Sequence, residues 1–379
     1  MANVLGLYDP LFYAQEALIQ LEKSLGMAGR VFRGYDRNPQ DKGSTIQIRR
    51  PTYFTATDMP AASTDLNPDT VSLVLNNWKG VQFVLTDKDL SFTKEVIIAE
   101  HIRPASVAVA DAIDATLNAL YKDIPWFYDG AATPSDVSDF TGVQKILFDN
   151  KVPMDDLHLE ICSERQAKYL NLTAFTQYQG AGDQGVSSQM RGALGEKFGF
   201  EIFANQNVVQ HSTTALTAVT QLQLNAGAAK GATTIAIKDS DGVLAGTIAK
   251  GDTLLIAGNT QRYAVTAASV AAANVFTLTI TPGLAVAGNT NDNVTLRQAD
   301  GKNESLGFHR GAFALAMAPL SDLGNQLGAK IATVTDPITG LSLRSRLFYD
   351  GINAKVYVSV DALWGVTTLN PNMACRLNS

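Results

Sequence analysis

The chain is 379 residues long, 46% hydrophobic and only 17% charged, where a typical soluble domain carries roughly 25% charged residues. That length can bury two or three cores, which excludes a disordered or fibrous chain. The net charge of −6 excludes a protein whose whole surface grips nucleic acid, while a local basic face stays open. The shortage of charge points to surface hidden from water.

The first element is an amphipathic helix. Asp9 suits the N-cap and Pro10 the first turn, and Leu11, Ala14, Leu18, Leu21 and Leu25 follow at three- and four-residue spacing until Gly26. Its apolar stripe needs a partner. Arg30, Arg33, Arg37 and Lys42 then lie in a stretch without period, which reads as an arm or linker. From Ser44 the period changes to two: Ile46 and Ile48, then Val71, Leu73 and Leu75, then Val81, Phe83 and Leu85 predict strands. Between the first two lies Pro51 to Thr70, with three prolines, too long and irregular for a tight turn. The expectation is a long two-stranded loop lying on a neighbour, because a lone hairpin is only marginally stable in water.

Residues 93 to 123 carry the strongest helical signal, with Ile98, Ile102, Val109, Ile113, Leu117 and Leu120 on one face and Asp111, Asp114, Asn118 and Lys122 away from it. Pro104 predicts a kink or restart near Arg103. The stretch from Ser138 to Gln206 reads as α/β: a helix over Phe140 to Asn150, a strand over Leu157 to Cys162, a capping-box spacing in Ser163 to Gln166, and a strand over Phe198 to Phe203. From about Leu216 to Arg297 the chain turns rich in Thr, Ala, Val and Gly and poor in charge. Alternation around Thr234, Thr253, Tyr263, Phe276 and Val294 predicts five short strands of a small barrel or sandwich, inserted in the chain. After Asp300 the α/β character returns. Alternating segments over Leu341 to Leu347 and Lys355 to Val360 flank an Asp350-Gly351 turn, and these strands are expected to complete a sheet begun earlier.

Catalytic signals are few. His101, His158, His211 and His309 show no metal-ligand spacing with Cys, carboxylate or one another, so each is read as structural unless folding gathers it into a cluster. Gly180 to Gly185 matches GxGxxG, but Thr176-Gln177-Tyr178-Gln179 before it is no apolar strand, and the segment reads as a flexible loop. Phosphate-binding, nucleophile-elbow and HExxH motifs do not occur. Cys162 and Cys375 are too few for a disulfide framework or a four-cysteine zinc site and read as core residues of a protein made in a reducing compartment. Met1-Ala2-Asn3-Val4 is not the start of a standard signal, and no apolar run reaches the ~18 residues of a bilayer span. Neither secretion, membrane insertion, metal nor cofactor is expected.

Taken in order, the segments resemble the major capsid proteins of tailed bacteriophages. The resemblance is carried by Leu85-Thr86-Asp87-Lys88-Asp89-Leu90-Ser91-Phe92 leading into Ile102-Arg103-Pro104-Ala105, and by the run from Arg191 to Ile202. Gly307 to Ala316 and Asp350 to Tyr357 add to it. It is nearest to the podovirus coat-protein branch that has an inserted β-barrel domain. The fold so implied is α+β: an N-terminal arm (1–42), an extended loop (43–86), a peripheral domain with a long spine helix (87–137 and 328–379), an axial α/β domain (138–215 and 299–327), and an inserted all-β barrel (216–298).

The function implied is a shell subunit, not an enzyme. It would form pentamers and hexamers of an icosahedral virion capsid around double-stranded DNA, made in the host cytoplasm with a scaffolding protein and a portal, and open to a decoration protein. Subunit contacts are then expected at Leu11, Leu18, Leu21, Arg30, Arg33, Arg37, Arg49, Arg50, Tyr53, Phe54, Met59 and Trp78. Two alternatives stay open: an encapsulin-like or prophage-derived compartment, and an enzyme of unassigned class with an accessory β domain.

Overall fold

The computed structural model of the chain describes residues 10–34, 44–49, 70–86, 101–130, 137–172, 190, 192, 194–216, 219–242, 246–267, 269–270, 274–320, 329–335, 341–353 and 355–378. In chain order, α1 (Pro10–Ser24), β1 (Thr45–Arg49), β2 (Thr70–Val74), β3 (Asn77–Thr86) and α2 (Arg103–Asn118) lead to β4 (Phe127–Asp129). Then come α3 (Ser138–Asp149), β5 (Leu157–Ile161), α4 (Ser163–Leu170), β6 (Glu196–Lys197) and β7 (Phe200–Ala204). Strands β8 (Leu222–Leu224), β9 (Thr234–Asp239), β10 (Thr247–Ile248), β11 (Thr253–Ile256), β12 (Tyr263–Val265), β13 (Ser269–Val270), β14 (Val275–Thr281) and β15 (Val294–Arg297) follow. The remainder is β16 (Glu304–His309), β17 (Phe313–Ala318), β18 (Lys330–Thr335), β19 (Ser342–Asp350), β20 (Lys355–Thr368) and β21 (Ala374–Asn378). The chain divides into two compact units, Met1–Leu117 with Phe313–Leu369 and Asn118–Ala312 with Asn370–Ser379.

The first unit is organised by β20. Its first half pairs with β19 and its second half with β17, while β3 lies antiparallel along its other side and β18 extends the sheet beyond β19. Helix α1 packs on β18 and β19, and its buried Ala14, Ala17, Leu18 and Leu21 follow the expected spacing. The stripe therefore finds a partner within its own chain, where each buried leucine contributes roughly 1.5–3 kcal/mol. Pro104 falls on the second residue of α2, directly after π-helical backbone at His101 and Ile102, so the expected kink or restart near Arg103 is a change of helix type; residues 93–100 lie outside the described residues.

Two polar residues expected on the outer face of this helix are buried, Asp114 and Asn118. The reason is local: Asp114 accepts from the Gly26 and Ala28 backbone N–H groups at 2.7 and 3.1 Å, satisfying the turn that follows α1. Burial raises its carboxyl above the ordinary carboxylate range, against the pull of those N–H groups.

Strands β1 and β2 form an antiparallel ribbon with Thr45 opposite Val74 and Arg49 opposite Thr70. Ile48, Leu73 and Leu75 turn inward onto Ala314, Ala316, Ala318 and Leu363. Gly365 makes this close approach fit, since a Cβ there would strike the Val74 carbonyl oxygen. The tip between the strands lies outside the described residues.

In the second unit the sheet order is β4-β21-β16-β5-β7-β6, with β4/β21 and β5/β7 parallel and the other pairs antiparallel. Phe140, Val143 and Leu147 of α3 pack with Leu159, Ile161, Phe200 and Ile202. Two local expectations are revised. Cys162, extended at φ −75 and ψ 165, holds the N-cap of α4 without a side-chain hydrogen bond, because Ser163 is already the first helical residue; the capping box does not form. The predicted strand from Phe198 starts at Phe200, because Phe198 (φ 53) and Gly199 (φ 77) make the two-residue turn joining β6 to β7.

The charge-poor stretch forms the sheet β15-β11-β12-β14-β9-β8. All five predicted strands occur in it as β9, β11, β12, β14 and β15, and Ile235, Ile237, Phe276, Leu278 and Ile280 alternate inward. β8, β10 and β13, two or three residues each, add to the expected strands. The outer strands approach each other: Leu224 N–H donates to Asp292 O and Asn291 N–H to Leu224 O, both at 2.9 Å.

Candidate functional site

Alternation along β3 sets Trp78, Gly80, Gln82 and Val84 on one face. Register adds Tyr357, Ser359 and Asp361 of β20 and Phe348, Arg346 and Arg344 of β19 to the same face. At its centre Asp361 is buried, accepting from Trp78 Nε1 at 2.8 Å and from Arg344 Nε and Nη2 at 3.1 and 2.7 Å. Arg346 Nη2 adds an ion pair at 3.3 Å. Gly80 sits opposite, where a Cβ would lie 2.5 Å from that of Asp361. Two guanidinium groups against one carboxylate leave this patch net positive.

Beside it Val84, Tyr357 and Phe348 make a cross-strand row, the two rings stacked at 4.8 Å and 8°. Val84 is 43% exposed, Phe348 39% and Trp78 45%, and Ile352 in the adjoining turn is 95% exposed. Large apolar side chains contiguous in this way mark a contact surface more than single exposed ones do.

The residues singled out from sequence fall in different places. Leu18 and Leu21 are buried inside the first unit and Leu11 is exposed. Arg30 Nη1 donates to Gly26 O at 2.8 Å, Arg33 is half-buried, and Arg49 is exposed on the ribbon. Trp78 belongs to the Asp361 cluster. Arg37, Arg50, Tyr53, Phe54 and Met59 lie outside the described residues, as does the 180–185 glycine segment. Sequence reasoning missed Val84, Phe348, Tyr357 and Ile352, although Val84 shares the phase of Trp78 and the others flank the Asp350-Gly351 turn.

The histidines of the second unit each face a carboxylate. His158 faces Glu201 at 2.9 Å, His309 faces Asp155 at 3.7 Å, and His211 lies 3.0 Å from Asp252. A cleft of about 460 Å³ beside β7 is lined by Ile161, Gln166, Leu194, Glu196 and Glu201 among others, but by no histidine. Among the described residues no three His, Cys, Asp or Glu side chains gather as metal ligands, and no helix is long and apolar enough to cross a membrane. Burial pushes the Cys375 thiol up, and Cys162 is also buried; both are free. Burial likewise raises the Glu304 carboxyl, opposed by Arg376 and Arg297.

No family model and no curated protein matches the chain. Solved structures do. A structure of Mycobacterium phage Che8 is similar over 93% of this chain and 90% of its own, at 12% identity and a TM-score of 0.51. The capsid structure of cyanophage P-SCSP1u matches over 90% of this chain and 84% of its own, at 11% identity and a TM-score of 0.44. The mature capsid of bacteriophage PhiM1 matches over 92% and 87%, at 10% identity and a TM-score of 0.43. At such identities the first likeness is one of fold: this mixed helix-and-sheet chain shares its fold with a solved phage structure, as the sequence resemblance implies.

Proposed function

We propose that the chain is the major capsid protein of a tailed phage, assembling as pentamers and hexamers into an icosahedral shell around double-stranded DNA. The observation that carries this reading is the fold shared with the Mycobacterium phage Che8 structure over 93% of the chain. The open aromatic and basic face of the β3/β20/β19 sheet supports it, because a lone subunit gains nothing by holding that row in water. In this reading α2 is part of the spine helix, β1 and β2 are the stem of the extended loop, and β8 to β15 are an inserted barrel. The second unit without 216–298 is then the axial domain and the first unit, apart from arm and loop, the peripheral one. Strand pairing groups β17 with the peripheral sheet and β4 and β21 with the axial sheet, which shifts the segment boundaries 299–327, 87–137 and 328–379 expected from sequence. Each contact needs only modest strength, since closed symmetry repeats it many times.

Sedimentation velocity of the purified full chain, with and without a co-expressed scaffolding protein, tests this. The expected result is large, closed, fast-sedimenting particles; a chain that stays monomeric under every assembly condition overturns it. Deleting residues 51–69 is expected to reduce particle yield while leaving the subunit folded, because a projecting loop adds little to its own core.

A further inference from the structure

We propose that the β8–β15 sheet is a clamp on the last strand, so that residues 370–378 and the base of that sheet open together as one cooperative step. The sheet meets the final segment at three points. Near its start, Gln261 Nε2 donates to Asn372 Oδ1 at 3.1 Å, beside Trp126 Nε1, which donates to the same oxygen at 3.0 Å. In the middle, Arg376 of β21, fully buried, donates from Nη1 to the Gly251 carbonyl at 2.7 Å and from Nε to the Ile124 carbonyl at 2.8 Å. At the end, with its amide oriented so that Nδ2 donates to Glu304 Oε2 at 2.6 Å, Asn378 accepts from Arg297 Nη1 at 2.8 Å. Arg297 also pairs with Asp129, and with Arg262 it brackets the Phe127 ring at 3.8 and 4.3 Å; both partners lie on β4, the parallel neighbour of β21.

The loop that supplies Gly251 is itself held in place. Asp252 Oδ2 accepts from Ala249 N–H, Thr213 Oγ1 and Gln298 Nε2 at 2.9, 3.1 and 3.2 Å, and its Oδ1 lies 3.0 Å from His211 Nε2. The other ring nitrogen of His211 pairs with Tyr121 Oη at 2.9 Å. The chain enters and leaves the sheet through 209–211 and 301–304, which hydrogen-bond to one another: His211 N–H donates to Lys302 O at 2.8 Å and Glu304 N–H to Val209 O at 3.0 Å. Buried polar groups at such a joint leave donors and acceptors without water if it opens, so opening is all-or-none rather than gradual.

Hydrogen exchange read by mass spectrometry on the full chain tests the clamp, with the double variant Gln261→Ala, Arg297→Gln. It removes two of the three grips from partly exposed side chains. The expected result is exchange about tenfold faster or more at 370–378 and at 209–211 and 301–304, with β5 and the β9/β14 pair unchanged. Unchanged exchange at 370–378 overturns the proposal. A rise of equal size at every protected amide also overturns it, since the effect would then be global. Should the double variant fail to fold, Gln261→Ala alone is expected to give a smaller rise with the same pattern, and its absence is equally decisive.

Discussion

The β3/β20/β19 sheet and the β8–β15 sheet solve the same problem in opposite ways. In the latter, short strands send Ile, Leu and Phe inward and Thr outward, and its edges meet at Leu224 and Asp292. The former keeps one face packed but leaves Trp78, Val84, Tyr357 and Phe348 on the other, around a positive cluster held by Asp361. Apolar patterning that closes within one chain stabilises the fold. Patterning left open is stability reserved for a contact, and in a shell that contact is another copy.

The sharpest way to separate the two is to cut a ring from each. Phe276→Ala, in the closed sheet, is expected to cost about 3–5 kcal/mol, read by chemical denaturation; a cost below about 1 kcal/mol would mean that sheet is not closed on its own core. Next, Asp361→Ala leaves Arg344 buried without its carboxylate and is expected to cost about 3 kcal/mol in subunit stability, while Asp361→Asn, which keeps an acceptor for Trp78 and Arg344, costs less. Equal costs would show that the charge, not the hydrogen bonding, holds the cluster. Phe348→Ser on the open face should change subunit stability by less than about 1 kcal/mol yet reduce particle formation; a large fall in subunit stability would make the row part of the core.

The smallest expected effect is a pH slope. Burial raises the Glu304 carboxyl above its ordinary value of 4.5, so the folded chain favours the protonated form. Its contribution to stability is full below that ordinary value and is lost as pH rises through the raised one. In Glu304→Gln the fall in unfolding free energy on going up in pH from 4.5 is therefore shallower. An unchanged slope would assign the dependence to another group, such as Asp114, whose carboxyl burial also raises.

Much of the fold was legible because its elements are long or strictly periodic. The α1 stripe, the phase of β2 and β3 and the five predicted strands of the charge-poor stretch all follow from spacing. What was not legible depends on partners distant in sequence. Asp114 looks like a solvent-facing helix residue until Gly26 and Ala28, 88 and 86 positions away, supply N–H groups. Asp361 and Trp78 are 283 positions apart, and only strand register makes them neighbours. The contact candidates Leu18 and Leu21 show the converse: a stripe that needs a partner does not say whether the partner is the same chain. Part of the deficit of charge belongs to the Thr-rich sheet.

A cryo-electron density map of the assembled full chain tests the shell reading most directly. The expected result is a closed icosahedral particle in which the face carrying Trp78, Val84, Phe348 and Tyr357 is covered by a neighbouring copy. A preparation that yields no closed particle, or particles in which that face is bare to solvent, would contradict it.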